Sequence, residues 1–356
     1  MHPFLKRTKD FLFQTRAFSL TVLLIIFIEV LLYGVRNLHY IDGGGAFLTT
    51  YKKLVAEDKN QEYDILMYGD SRSLSIKGNP RDEKHPLSFY NFSLPAAGPR
   101  YFKYYLKKYL LHHQNRPKVV VWAADPEQFM FSKSQTFDSD PELWSNYKHR
   151  LLNLFSLSES YEQYDGKESF FILKEYMPYT LKSIKHRQGF ESIIMGFKFK
   201  YLLGKDLPNI SRNVLIQTII ESTYGQINLG NYFFAPEILG KEELKNKLEQ
   251  LQTARFSLEP LVEFSEYCEK ERLKLVVLNL PRAEGLNETP YFKEITPVIK
   301  KVTKKFANSI YLEFPEMDYS NSLFAESIHY NSKGEIRVNR DFTEGIYPKI
   351  LEFSKK

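Results

Sequence analysis

YDILMYGDSRS, Tyr63 to Ser73, decides the fold class. The run Tyr63–Tyr68 is apolar but for Asp64 and too short for a packed helix, so it reads as a buried strand. It ends on Gly69-Asp70-Ser71. The glycine permits a sharp turn, and a serine at a strand-to-helix turn is held with its hydroxyl above the sheet. Outward from this stretch lie four more such runs: Phe89–Leu94, Lys118–Ala124, Leu273–Leu280 and Ser309–Phe314. Several are near-continuous rather than alternating, as strands covered on both faces must be. Helical patterns at Arg100–His113, Lys241–Lys270 and Pro290–Phe306 lie between them. This alternation predicts an α/β fold: a doubly wound, flavodoxin-like parallel five-stranded sheet in an α/β/α sandwich. Ligands of such sheets bind beyond the carboxyl ends of the strands, so the loops there carry the chemistry.

Composition narrows the class. The 356 residues hold 49 Lys+Arg against 43 Asp+Glu, a net charge of +6, with 43% hydrophobic and 26% charged residues. Mean hydropathy is −0.38. This excludes a polytopic membrane protein, a disordered chain and a disulfide scaffold. Cys268 is the only cysteine, which excludes an intrachain disulfide and a Cys-rich zinc site. Residues 1–40 carry half of the net positive charge, leaving too little elsewhere for a nucleic-acid surface.

Ala17–Val35 is a 19-residue stretch whose only charge is Glu29. At about 1.5 Å per residue it covers roughly 28 Å, enough to cross a bilayer core. Lys6, Arg7, Lys9 and Arg16 precede it and only Arg36 follows closely. The positive-inside rule then keeps the N-terminus cytoplasmic and sends the remainder outside, periplasmic in a bacterium. A cleaved signal peptide is the alternative, but no small-x-small site closes the apolar region. Glu29 is costly in lipid and points to a helix partner or a position near the outer leaflet. Residues 1–36 thus read as cytoplasmic tip and anchor, and 37–60 as a linker. Residues 61–127 and 241–356 form the sheet domain, and 128–240, with helical stretches at Leu143–Leu157 and Phe190–Leu203, a helical cap inserted after the third strand.

Three loops carry candidate chemistry. Ser71 follows the first strand, its bland alternative being that Asp70 or Ser71 caps the next helix. The second strand runs into Asn91-Phe92-Ser93-Leu94-Pro95-Ala96-Ala97-Gly98, where a glycine lets a backbone N–H approach a reacting oxygen. After the last strand comes Phe324-Ala325-Glu326-Ser327-Ile328-His329-Tyr330-Asn331-Ser332-Lys333-Gly334, followed by a helical tail from Glu335. A carboxylate three residues before a histidine can accept its Nδ1–H and leave Nε2 to take a serine proton.

Serine after strand one, glycine after strand two and an acid–histidine pair after the last strand resemble the SGNH/GDSL hydrolase superfamily. Gly-Asp-Ser71 matches its first block, Gly98 behind Asn91 its second, and Glu326-x-x-His329 its last. The resemblance spans about residues 60–125 and 270–356. The single anchor and the F-x-E-x-x-H-x-N-x-x-G ending look most like membrane-anchored bacterial envelope members, including DltD-like and alginate O-acetyltransferase-like proteins. It implies Ser71 as nucleophile, His329 as base, Glu326 as its orienting acid, and the Ser71 and Gly98 N–H groups as oxyanion donors. The acid is usually Asp, and the third block, Gly-x-Asn-Asp, is absent. Strand three ends Ala123-Ala124-Asp125-Pro126-Glu127-Gln128, which reads as a helix start with Asp125 as N-cap.

The expected function is an extracytoplasmic serine acyl-esterase or O-acyltransferase on an envelope glycan. A catalytically degenerate scaffold of an envelope assembly and a lipid-directed esterase are the alternatives. Arg72 and Arg100 read either as solvated charges or as contacts for an anionic glycan or phosphate, with Asn91 and Asp125 as further candidate substrate contacts. Expected partners are the membrane, an acyl-bearing or glycan substrate and a membrane-bound acyl donor. No P-loop or GxGxxG follows any strand, so neither ATP nor NAD is indicated, and no cofactor is expected. His112-His113 lacks a carboxylate or cysteine companion for a metal.

Overall fold

The computed structural model describes residues 3–95, 99–123, 126–131, 180–203, 208–228, 239–252 and 254–356. Five strands form the central sheet: β1 (Ile65–Gly69), β2 (Phe89–Asn91), β3 (Val119–Ala123), β4 (Lys274–Asn279) and β5 (Ser309–Glu313). They pair in parallel in the order β2-β1-β3-β4-β5. The register sets Ile65 beside both Phe89 and Val119, Val119 beside Lys274, and Leu275 beside Ser309. The order changes direction between β1 and β3, which places the switch point beside the Ser71 turn. Each predicted strand is present, shorter by one to three residues because the runs continue into loops.

The strand side chains are fully buried from Ile65 to Tyr68, Val119 to Ala123 and Leu275 to Leu278. Each such Val, Leu or Ile stabilises the fold by roughly 1.5–3 kcal/mol. Among the described residues ten helices are longer than a single turn: α1 (Pro3–Gly34), α2 (Gly44–Glu57), α3 (Pro99–His112), α4 (Arg187–Leu203), α5 (Pro208–Thr223), α6 (Lys241–Gln252), α7 (Glu259–Lys270), α8 (Pro290–Thr303), α9 (Ser332–Asp341) and α10 (Tyr347–Lys355). On one sheet face Phe102 of α3 and Phe264 of α7 meet Trp122 edge-on at 5.6 and 5.3 Å. Elsewhere Phe342, in the π-turn joining α9 to α10, stacks on Phe89 of β2. Cys268 is buried among these elements, and burial pushes its thiol up, away from the reactive thiolate.

The chain divides into two compact units, residues 1–50 with 147–214, and 51–146 with 215–356. In the first, α1 carries Thr15–Gly34, 20 residues long and apolar enough to cross a membrane. Glu29 is buried, and its carboxylate accepts the N–H groups of Lys182 and Ser183 at 2.7 and 3.0 Å. Tyr33 Oη donates to the Thr180 carbonyl nearby. Glu29 thus meets the single helical turn Lys182–Lys185, one of the readings its sequence position left open. Asp42 meets the buried His186 ring at 2.9 Å and accepts from Asn213 through its carbonyl.

Three boundaries differ from expectation. Residues 37–60 are no linker: α2 buries Phe47, Leu48, Lys52, Val55 and Ala56, an amphipathic face behind the glycine triplet. The expected cap helix Leu143–Leu157 lies outside the described residues, whereas Phe190–Leu203 falls within α4. Residues 215–228 belong to the sheet unit rather than to a cap, because Ile227 N–H donates to Leu74 O and Asn91 N–H to Tyr224 O. Lys241–Lys270 is two helices, since Pro260 has no N–H to give and stands in the first turn of α7.

Candidate active site

The turn after β1 is built around Gly69. A Cβ there would lie 2.1 Å from Ser73 Oγ and 3.0 Å from the Ala123 carbonyl oxygen, so the close approach requires glycine. Asp70 Oδ1 accepts the Arg72 N–H at 3.0 Å, and its carbonyl accepts the Leu74 N–H. This leaves Ser71 half-buried at the tip. A short 3-10 helix, Ser73–Ser75, follows instead of a long one.

The end of β2 braces that turn. Asn91 is fully buried. Its Nδ2 donates to the carbonyls of Ser73 and Ile76 at 2.8 and 2.7 Å, and its Oδ1 accepts the Ser93 N–H. Ser73 and Ser93 join through their hydroxyls at 2.8 Å. Beneath them Lys52, also fully buried, donates from Nζ to the carbonyls of Asn91, Ser93 and Gly225 at 2.7, 2.7 and 2.8 Å. Burial pushes its ammonium below the ordinary lysine range. Three carbonyl acceptors match the three protons of the charged form, which oppose that push.

The last block closes on itself. Ala325 N–H donates to His329 O, and Asn331 N–H to Leu323 O. The Asn331 side chain caps α9 by accepting the Lys333 and Gly334 N–H groups. Gly334 is again obligatory, since a Cβ would stand 2.0 Å from the Leu323 carbonyl oxygen. In this loop the Glu326 carboxylate meets His329 Nδ1 and accepts the His329 N–H at 2.8 Å. Burial raises the Glu326 carboxyl, but the His329 ring and the N–H groups of residues 328 and 329 outweigh it and hold it below its ordinary value. A carboxylate on Nδ1 selects the tautomer whose Nε2 accepts a proton.

The Ser71 turn and the His329 loop are tied through a polar cluster. Asn339 of α9 donates to Ser75 O at 2.9 Å and accepts the Lys77 N–H at 2.7 Å. Gln226 donates to Ser75 O and to the Glu335 carboxylate, which Asn228 also reaches at 2.6 Å. Burial raises the Glu335 carboxyl against these two donors. Tyr330 Oη donates to Pro281 O, fastening the residue after His329 beyond the carboxyl end of β4.

Ser71, Glu326 and His329 thus occupy loops beyond the strands' carboxyl ends, bound to one scaffold. Gly98 and Asp125 lie outside the described residues. Arg100 stands in the first turn of α3. Two expectations are corrected. Arg72 is buried, 1% exposed, and is no solvated surface charge. Asn91 spends its amide on backbone inside the fold and is a brace, not a substrate contact. Sequence reasoning missed Lys52, Gln226, Asn228 and Glu335. For Lys52 a signal existed: Phe47, Leu48, Tyr51 and Val55 recur at helical spacing with Lys52 on their face. Compared with known proteins, the chain matches no family model and no curated protein.

Proposed function

We propose that the chain is a membrane-anchored serine acyl-esterase or O-acyltransferase of the SGNH/GDSL type. It would act outside the cytoplasm on an acylated envelope glycan. The observation that carries this reading is the Glu326–His329 pair on the loop after β5, bound through α9 to the turn that bears Ser71. The strand order, with its switch point at β1 and β3, supports a doubly wound sheet whose ligands enter at that end. The 20-residue apolar helix with basic residues before it supports a single pass with the N-terminus inside.

In this reading His329 Nε2 takes the Ser71 proton as Oγ bonds to the acyl carbonyl carbon. The Ser71 and Gly98 N–H groups receive the oxyanion. The bond to the leaving oxygen breaks, and His329 returns the proton to it. Water or a sugar hydroxyl then repeats the sequence on the acyl-serine. The absent third-block asparagine removes a donor worth about 2.7–4 kcal/mol elsewhere, and it is the feature that favours the scaffold reading.

The full chain in maltoside micelles, wild type beside Ser71→Ala, decides the matter. Fluorophosphonate labelling and p-nitrophenyl acetate turnover that vanish with Ser71→Ala support the nucleophile, and glycan acceptors then separate transferase from esterase. Two folded proteins that both fail to react would leave the scaffold.

A further inference from the structure

A second concave site lies away from the serine turn. Tyr51, Val55, Asn60, Gln61, Glu62, Tyr63, Tyr90, Glu221 and Tyr224 line a cavity of about 290 Å³. Residues 60–63 enter β1 at its amino end, whereas Ser71 leaves the carboxyl end, so this cavity is separate from the candidate active site. Four of its nine lining residues are tyrosines and two are glutamates, with no lysine or arginine among them. Tyr63 packs on Tyr90 with ring centroids 4.8 Å apart, and Tyr224 meets Tyr63 edge-on at 6.5 Å. Tyr51 and Tyr90 form a buried floor, and Glu62 and Glu221 stand exposed at the rim.

The polar atoms are arranged unevenly. Glu221 Oε1 accepts from Tyr51 Oη and Gln217 Nε2, both at 2.7 Å, and Glu62 Oε2 accepts from Asn115 at 2.6 Å. These bonds hold both carboxylates at the rim and keep them acceptors. Tyr63 Oη is spent on Gln61. Tyr90 Oη, on a side chain only 2% exposed, has no hydrogen-bond partner among the described residues. That hydroxyl is itself closed off from solvent, so Tyr90 serves the site as packing behind the Tyr63 ring. Aromatic faces over a cation, with carboxylates rather than bases around it, are the chemistry that recognises alkylammonium groups. The volume suits one small head group.

We infer that this tyrosine-lined cavity binds a small alkylammonium ion, its charge against the half-buried Tyr63 and Tyr224 rings and facing Glu221. The inference does not depend on the acyl-serine chemistry, so either can fail alone.

Calorimetric titration of the full chain in maltoside micelles with choline chloride tests it, beside the neutral isostere 3,3-dimethylbutan-1-ol. The expected result is saturable choline binding, with the isostere weaker by about tenfold. Glu221→Gln is exposed and Tyr63→Leu half-buried. Each should weaken choline several-fold while the melting transition and fluorophosphonate labelling stay as in wild type. Absence of choline binding, equal binding of the isostere, or choline affinity unchanged in both folded variants would overturn the assignment.

Discussion

The Lys52 ammonium donates to the carbonyl oxygen of Asn91 at 2.7 Å, from a side chain with no solvent exposure. The same Asn91 holds the turn that carries Ser71 through the Ser73 and Ile76 carbonyls. A residue on α2 therefore fixes the candidate nucleophile's turn at one remove, by donating to three buried carbonyls.

Lys52→Met keeps the length of the side chain and removes all three donors. Orphaned buried carbonyls make the loss about 3 kcal/mol, more than an ordinary surface lysine would cost. Chemical denaturation of the full chain measures it. A change below about 0.5 kcal/mol, typical of surface substitutions, would show that the three carbonyls find other partners.

Gly334→Ala drives a Cβ against the Leu323 carbonyl, a backbone atom that cannot swing aside. Overpacking of this kind costs about 1–3 kcal/mol. The strain falls on the loop from Leu323 to Asn331 that pairs Glu326 with His329, so labelling of Ser71 should drop further than the melting point implies. Labelling that merely tracks the folded fraction would separate this glycine from the site.

The strands were legible because parallel strands buried on both faces are continuous apolar runs, as at Val119–Val121 and Leu275–Leu278. The Ser71 and Glu326–His329 loops stand out as candidates through their order along the chain and the resemblance it carries, since a Gly-Asp-Ser turn or an acid three residues before a histidine is a weak signal alone. Lys52 was hidden by the glycine triplet before α2 and the polar run after it, which together resemble a linker. Gln226 and Glu335 were hidden for a different reason. Their bond joins residues 109 positions apart, and local periodicity carries no information about that meeting.

Glu29→Leu makes α1 more apolar and by hydropathy alone should improve it. Instead it strips the half-buried Lys182 and Ser183 N–H groups of their charged acceptor, at about 1–3 kcal/mol. The segment around the single turn Lys182–Lys185 should open more often, and trypsin should cut the full chain faster after Lys182 and Lys185. Cleavage at the wild-type rate would mean the carboxylate is dispensable.

Glu326→Gln keeps an acceptor for the His329 N–H but removes the charge that faces the ring. The folded Glu326 carboxyl sits below its ordinary value of 4.5, so the unfolded chain takes up a proton first as pH falls. Its stabilisation is complete above that ordinary value and is lost as pH drops through the folded one. Wild type should therefore exceed Glu326→Gln in melting temperature at neutral pH, and the gap should close as the solution is taken below pH 4.5. The variant should also lose most of its fluorophosphonate labelling at neutral pH, because a neutral amide stabilises the imidazolium far less than a carboxylate. A melting gap that persists unchanged into acid would show that the carboxylate's charge is not what holds the pair. Labelling retained in full would remove Glu326 from the role of orienting acid.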